Sequence, residues 1–214
     1  MRRILVFALA AALGACGSSG SDTPPAPASG TIMGSPFTPV DRGALVTPAE
    51  TCTLTGLGTR SMTVLAMGFS SYANVCGFVQ TAQLCGEVAS SRVVTVSIVN
   101  APAAGAAAPV GPGTYTIGMH VNPSNDVLAV GADVTSVDAA CAPAGAIPDA
   151  LSGTIVVASV SPRVVGTLDV TFTDGSRFAG SFDLEVCVAA VSFCTVMNGT
   201  CASYACCSNA TTCA

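Results

Sequence analysis

The feature that most constrains this chain is its cysteine content. Eleven cysteines occur in 214 residues, and six of them lie in the last 28. Their spacing there is Cys187-x6-Cys194-x6-Cys201-x4-Cys206-Cys207-x5-Cys213. Cytosolic thiols are kept reduced, so this density predicts disulfides and an oxidising compartment. A disulfide-rich C-terminal tail is therefore expected.

The first sixteen residues have the organisation of an export signal. Arg2 and Arg3 form a positive n-region, and the ten residues from Ile4 to Leu13 are apolar but too few to span a bilayer as a helix. The stretch ends in Leu13-Gly14-Ala15-Cys16, which resembles the lipobox of bacterial lipoproteins. The resemblance implies cleavage before Cys16 and acylation of that cysteine, by palmitate among other chains, so a membrane is the first expected partner. An ordinary secreted protein is the alternative.

The residue after the lipidated cysteine gives information about the cellular location. It is Gly17, whereas Asp at this position favours inner-membrane retention in enterobacterial lipoproteins. The resemblance therefore implies an extracytoplasmic protein of the outer membrane, on either its periplasmic or its outer face.

Lipid on Cys16 leaves an even number of cysteines. The ten that remain predict five disulfides of undetermined pairing: Cys52, Cys76, Cys85, Cys141, Cys187, Cys194, Cys201, Cys206, Cys207 and Cys213. The five that follow Cys187 are odd in number, so full oxidation within the chain requires one of them to pair elsewhere. Cys187 or a cysteine of the β-rich body of the chain must supply that link, which predicts a tail crosslinked to the domain by a disulfide.

Charge excludes one class of partner. Removing residues 1–15 takes away Arg2 and Arg3, so the formal net charge falls from −5 to −7. Five arginines then face twelve acidic residues, and the chain contains no lysine. No basic patch for a phosphate backbone can form, so no nucleic-acid partner is expected.

The rest of the chain divides into a tether, a domain and a cap. Residues 16–30 are small, polar and proline-rich, which predicts a flexible tether after a signal peptide at 1–15. Residues 31–186 are predicted to form a β-rich domain, and residues 187–214 a cysteine-rich C-terminal cap. Short β-branched runs cut by Gly, Pro, Asn and Asp predict the strands Thr31–Gly34, Ser61–Gly68, Arg92–Val99, Thr114–Met119, Val127–Val137, Gly153–Val160, Val164–Thr173 and Ser176–Val188.

This pattern predicts an all-β fold, an antiparallel β-sandwich or barrel. At most one short helix is expected, from Ser70 to Gln83, where apolar residues recur at helical spacing.

The region around Asp174-Gly175 predicts a hairpin with a defined register. A two-residue Asp-Gly turn would place the phenylalanines of the two strands on opposite faces. A three-residue loop from Thr173 to Gly175, with Gly175 left-handed in a bulge, removes that mismatch. The expected pairs are Val170–Phe178, Leu168–Gly180 and Gly166–Phe182. The expected buried face comprises Leu168, Val170, Phe172, Phe178, Phe182, Leu184 and Val186.

The same region carries a second, fainter resemblance. The run from Gly166 to Phe172, the Asp-Gly turn and Gly180-Ser181-Phe182 leading to Cys187 are similar to segments of uncharacterised exported lipoproteins of myxobacteria. The resemblance implies a β-rich exported domain and no known activity.

Residues suited to catalysis are scarce. His120 is the one histidine, so a Ser-His or Cys-His site would have to use it, and no G-x-S-x-G elbow lies between a strand and a helix. The acidic residues are scattered singly, and a loop at Asn122–Asp126 lacks the spacing of a calcium site. No metal site and no cofactor are expected.

The sequence thus predicts a lipid-anchored envelope protein that is a structural or binding module rather than an enzyme. An unidentified envelope or extracellular protein is the expected kind of partner. Two alternatives remain open: an extracytoplasmic hydrolase that uses His120 or an acidic pair, and an inhibitor-like module formed by the cysteine-rich tail.

Overall fold

The computed structural model describes residues 26–54, 58–76, 89–140 and 144–187. The regular elements within these ranges are β-strands, which confirms the all-β fold class. In chain order the strands are β1 (Ser29–Ile32), β2 (Ser35–Phe37), β3 (Asp41–Val46), β4 (Glu50–Leu54), β5 (Gly58–Ser70), β6 (Arg92–Ala101), β7 (Gly113–Thr116), β8 (Gly118–Val121), β9 (Val127–Ser136), β10 (Ala150–Ser159), β11 (Arg163–Phe172) and β12 (Arg177–Cys187).

The strands form a nearly closed, barrel-like sheet in the order β7-β10-β11-β12-β3-β5-β6-β9-β8. The two ends of this order are neighbours in the chain, because only Ile117 separates β7 from β8. β7 pairs with β10, β8 pairs with β9, and the Ile117 backbone N–H donates to the Gly153 carbonyl at 3.0 Å. One segment therefore bridges both edges of the sheet. Off this path, β1 pairs with β12 and β2, and β4 pairs with β5.

This bridge corrects one predicted strand. The stretch Thr114–Met119 was expected to be continuous, but it divides at Ile117, where the chain leaves β10 and joins β9. Gly118 follows with a φ of +134°, a conformation that residues with a side chain rarely adopt. The other seven predicted strands overlap β1, β5, β6, β9, β10, β11 and β12, whereas β2, β3 and β4 were not predicted.

Two other predictions, the helix and the tether, agree with the structure only in part. Of the predicted helix, Ser70 ends β5 and Val75 and Cys76 have helical geometry, while residues 77–83 lie outside the described ranges. The predicted tether is described only from residue 26, and there the chain already lies on β12. The Ala28 N–H donates to the Ser181 carbonyl at 2.8 Å. The folded domain therefore begins before residue 31.

The barrel interior holds the main hydrophobic core. Inward-facing side chains of successive strands meet there, and three tilted or edge-on aromatic contacts link Phe37, Phe69, Phe178 and Phe182. Among the largest fully buried side chains are Ile32, Leu65, Met67, Phe69, Ile98, Ile155, Phe172, Phe178, Phe182 and Leu184.

The predicted hairpin is confirmed in its loop and its register. β11 and β12 pair as Val170–Phe178, Leu168–Gly180 and Gly166–Phe182. Gly175 has a φ of +81°, and its N–H donates to the Phe172 carbonyl at 3.0 Å. The predicted inward face is buried except for Val186, which is only partly buried against the core.

A second apolar layer covers the outer face of β5. Its buried members are Leu45, Cys52, Met62, Val64, Ala66, Val75, Ala101 and Val127. Every residue of β5 from Met62 to Ser70 is consequently buried, which makes this strand apolar on both faces.

The Cys76–Cys187 disulfide lies beside this outer layer. It joins residues 111 positions apart, with the Cα atoms separated by 5.4 Å. Gly43 of β3 lies directly beneath it, since a Cβ on this glycine would come within 2.8 Å of the Cys187 sulfur and 3.0 Å of the Cys76 sulfur. The absence of a side chain at residue 43 thus makes room for the crosslink.

The packing of the disulfide on Gly43 predicts an energetic coupling. Gly43→Ala should lower the free energy of unfolding by about 1–3 kcal/mol, because the added methyl overlaps both sulfurs. In a Cys76→Ala/Cys187→Ala background the same substitution should cost less than about 1 kcal/mol, because both sulfurs are gone. The crosslink itself should contribute about 2–5 kcal/mol. Urea unfolding of the four proteins measures each quantity, and equal costs of Gly43→Ala in the two backgrounds would contradict the coupling.

The loop of the hairpin gives a second prediction. Gly175→Ala should lower the free energy of unfolding by about 1 kcal/mol, because an L-residue is strained at a positive φ. Gly111→Ala is the matched control, since the space around its Cβ position is open and its φ is not left-handed. That control should change stability by less than about 0.5 kcal/mol. Similar urea midpoints for the two variants would argue against the left-handed bulge.

Candidate functional site

The predicted site residues divide into those that the structure describes and those that lie outside it. Cys76 and Cys187 are bonded to each other. Cys52 is also in a disulfide, whose partner lies outside the described ranges. The remaining predicted cysteines, Cys16, Cys85, Cys141, Cys194, Cys201, Cys206, Cys207 and Cys213, lie outside those ranges as well.

His120 lies on β8 at the surface of the barrel. Its Nε2 atom is 2.9 Å from the Thr116 carbonyl, so one ring nitrogen is already engaged with the backbone. The nearby depression, of about 450 Å³, is lined by Asn100, His120, Val121, Asn122, Asp126, Val127 and Leu128. No serine, threonine or cysteine occurs among the residues that line this depression, so the depression itself offers His120 no nucleophile.

The loop from Asn122 to Asp126 is a closed polar turn. The Asn122 Oδ1 atom accepts the backbone N–H groups of Ser124 and Asp126, each at 2.9 Å. The Asp126 carboxylate accepts from the Ala103 N–H and from the Asn122 side chain. The side-chain oxygens of Asn122 and Asp126 are thus already engaged by protein donors. Among the described residues, no three metal-ligating side chains come together.

Two carboxylates come close enough to influence each other. Asp133 lies on β9, and Asp149 immediately precedes β10. Partial burial raises the pKa of Asp133, and the negative charge of Asp149 raises it further. Within the described ranges, Asp133 and Asp149 form an acidic pair of the kind that the hydrolase alternative requires. Neither residue lines the depression beside His120, nor either of two further cavities, one on the outer face of β10, β11 and β12 and one at an end of the barrel.

A second depression lies on the outer face of β10, β11 and β12. It has a volume of about 840 Å³ and carries Arg42, Arg163, Asp183 and Glu185. Arg163 forms an exposed salt bridge of 2.5 Å with Asp183 and also donates to the Asp183 carbonyl. Two of the charged side chains in this depression therefore neutralise each other between β11 and β12.

A third cavity, of about 490 Å³, opens at one end of the barrel. At this end β5 and β9 finish while β3 and β6 begin, because these neighbours are antiparallel. The walls come from five separate segments of the chain. They comprise Pro36, Phe37, Thr38, Ser71, Ser90, Ser91, Arg92, Ser136, Val137, Asp138, Ala139 and Ala144.

Arg92 supplies the positive charge of this barrel-end cavity. It is the first residue of β6, and its backbone N–H donates to the Ser71 hydroxyl at 2.9 Å. The guanidinium Nη1 atom donates to the Ile32 carbonyl at 3.1 Å. The Nε atom is buried and has no hydrogen-bond acceptor in the described part of the protein. Arg92 is thus a partly buried cation whose donors are only partly used.

The other four arginines outside the signal region have different surroundings. Arg163 and Arg177 form exposed salt bridges with Asp183 and Asp169. Arg60 donates to the backbone carbonyl of Asn125, and Arg42 is exposed. The combination of partial burial, a cavity and an unused donor therefore occurs at Arg92, a residue that the sequence did not single out.

The pKa of Asp133 gives a prediction for the pH dependence of stability. Its raised value means that the folded state holds the proton more tightly, so wild-type stability should fall as the pH rises above the ordinary Asp value of 3.8. Asp133→Asn should remove that loss and raise the melting temperature at neutral pH, with no gain below 3.8. Thermal melts across this range provide the measurement.

Asp169→Asn is the control of opposite sign. The hydrogen bond from Arg177 lowers the pKa of Asp169, so this carboxylate stabilises the fold above its ordinary pKa and loses that effect as the pH falls. The control variant should therefore melt at a slightly lower temperature than wild type at neutral pH. A gain for Asp169→Asn, or none for Asp133→Asn, would contradict the assignment.

Comparison with known proteins adds no family. No protein-family model, curated protein or solved structure is significantly similar to this chain. Within the described ranges, no helix has the length and apolar character that crossing a bilayer requires.

Proposed function

We propose that this chain is a lipid-anchored binding module of the bacterial cell envelope, attached to a membrane through Cys16. The barrel-end cavity is the observation that carries the binding half of this proposal, because it joins a cation with unused donors to a ligand-sized space. The proposal assigns no catalytic step and no cofactor to the domain.

Export is supported by two independent features. The positive and apolar segments ahead of Cys16 are typical of a signal peptide, and Leu13–Cys16 resembles a lipobox. The Cys76–Cys187 disulfide belongs to an oxidising compartment, because cytosolic reductants keep such pairs open. Gly17 after the lipidated cysteine favours the outer membrane as the final location.

The disulfide also limits how the tail can be attached. With Cys76 and Cys187 paired, three body cysteines (Cys52, Cys85 and Cys141) and five tail cysteines are left. Both numbers are odd, so complete oxidation within the chain requires one or three crosslinks between body and tail. Cys187 no longer supplies the link. We therefore expect a body cysteine to hold residues 188–214 as a cap on the barrel.

The alternative function is an extracytoplasmic hydrolase. Its specific support is the raised pKa of Asp133 beside Asp149, since paired carboxylates with separated pKa values can divide acid and base roles. Its weakness is the absence of a described cavity at that pair. His120 would need a nucleophile other than the residues that line its depression. An activity-based hydrolase probe that labels wild type but not Asp133→Asn or His120→Ala would favour this alternative.

A third function, an inhibitor-like tail, concerns the segment 187–214, of which only Cys187 lies within the described ranges. It would require the segment 187–214 to bind a protease when the rest of the chain is removed.

The anchor predicts the outcome of one substitution. Cys16→Ser should abolish lipidation, so the protein should leave the membrane fraction or remain as an uncleaved precursor. Expression in a bacterium with lipoprotein processing, followed by fractionation and intact mass, measures both. Ser18→Ala is the matched control, because it changes the neighbouring tether and keeps the cysteine, and it should stay in the membrane fraction.

Recovery of a mature-sized Cys16→Ser protein in membranes would contradict the anchor. Protease treatment of intact cells then distinguishes the two faces of the outer membrane. Cleavage without lysis indicates a surface-exposed domain, whereas cleavage only after lysis indicates a periplasmic one, provided that the purified domain is itself cleavable.

A further inference from the structure

We propose that the barrel-end cavity binds a small organic monocarboxylate, whose carboxylate pairs with Arg92. This inference rests on the proposed function, because it names the ligand class of the same binding module. Four observations support it: the state of the guanidinium, its fixed position, the balance of charge and the character of the walls.

The guanidinium has unused donors where a charge partner is expected. Nη1 is taken by the Ile32 carbonyl, whereas Nε is buried without an acceptor and Nη2 donates to no described residue. A buried donor left without a partner destabilises a fold, and a buried charge does so more strongly. Because the Nε atom has almost no exposed surface, the unpaired Nη2 atom is the donor that a carboxylate in the cavity can reach, through a charge-assisted hydrogen bond.

Arg92 is held in place by the backbone of two neighbouring segments. Its N–H donates to the Ser71 hydroxyl, and its carbonyl accepts from the Ser71 N–H, both at 2.9 Å. The Ile32 carbonyl fixes the far end of the side chain at 3.1 Å. A cation positioned in this way loses little conformational entropy when a ligand binds, which favours affinity.

The charge of the cavity favours a monoanion. Arg92 contributes the one positive charge among its lining residues, and Asp138 contributes one negative charge. A carboxylate adds a single negative charge, whereas a phosphate adds up to two near Asp138. Like charges at short distance repel, so the carboxylate is the better-matched anion.

The walls suit a small molecule with both polar and apolar parts. Serines 71, 90, 91 and 136 offer hydroxyl groups, while Phe37, Val137 and Ala139 add apolar surface. The volume of about 490 Å³ falls within the range of roughly 300–1,000 Å³ typical of small-molecule sites. The site therefore fits a short organic acid that carries a few carbons or hydroxyl groups.

The test is a titration of the full-length chain, purified in mild detergent, followed by amide NMR. The probes are sodium propionate, sodium butyrate and inorganic phosphate, each at constant ionic strength. We expect saturable shifts with the two carboxylates, centred on residues 90–92 and 136–138, and weaker or no saturation with phosphate. Arg92→Gln should weaken carboxylate binding at least about tenfold, the loss expected from one charge-assisted pair.

Arg42→Gln is the matched control, because it removes an exposed arginine outside this cavity and should bind the probes as wild type does. If Arg92→Gln does not fold, Arg92→Lys replaces it, since lysine keeps the charge but lacks the Nη2 donor that the Ile32 contact positions, and it should bind more weakly. The map of shifts in the wild-type chain needs no variant at all.

Several results would overturn the proposal. They are carboxylate binding that is equal in wild type and Arg92→Gln, shifts centred away from residues 90–92 and 136–138, or saturation with phosphate alone. An absence of saturable binding by either carboxylate would also overturn it. The lipid anchor is tested separately. Retention of Cys16→Ser in membranes would contradict lipidation but not carboxylate binding. Loss of Cys16→Ser from membranes together with no carboxylate binding would support the anchor and contradict this ligand.

Discussion

The fold depends on one short contact between its N-terminal and C-terminal strands. Three residues of β12, Glu185–Cys187, pair in parallel with Gly43–Leu45 of β3. Within the order of the sheet, this contact joins the β7-β10-β11-β12 half to the β3-β5-β6-β9-β8 half, which the segment around Ile117 links at their other edges. Three residue pairs are few for such a junction. The Cys76–Cys187 disulfide reinforces it from outside, and Gly43 allows the crosslink to lie flat against the sheet.

The predictable and unpredictable parts of the barrel differ in how many faces each strand buries. β11 and β12 alternate buried and exposed residues, so the phenylalanines and Asp174-Gly175 determined their register from sequence alone. β3 was not predicted, because Gly43, Ala44 and Leu45 are all buried and the alternation disappears. The stretch also contains a glycine, which is a poor strand former. Short β2 and β4 lack enough residues to show a period.

The candidate site could not be predicted from the sequence for a related reason. Arg92 precedes a run of valines, and in the sequence it reads as the polar first residue of a strand. The cavity becomes apparent only when the ends of β5 and β9 meet the starts of β3 and β6, which brings together residues as distant as Pro36 and Ala144. His120, which composition did single out, makes a backbone contact on the surface instead. A residue type that is rare in the sequence, such as the one histidine, is thus a weaker indicator of a site than the surroundings of a residue in the folded protein.

The path of the N-terminal segment connects the proposed anchor to the proposed site. The described chain begins beside Ser181, midway along β12, and β1 then runs antiparallel to β12 towards the cavity end. β1 finishes at Ile32, whose carbonyl holds the Arg92 guanidinium. The proposed tether, residues 16–25, precedes this segment in the chain. Because that tether joins the barrel at mid-height and the strand then leads to the cavity, an anchored barrel can present this end away from its attachment. Displacing β1 would remove the Ile32 acceptor from Arg92, so the strand that follows the proposed tether also positions the cation of the proposed site.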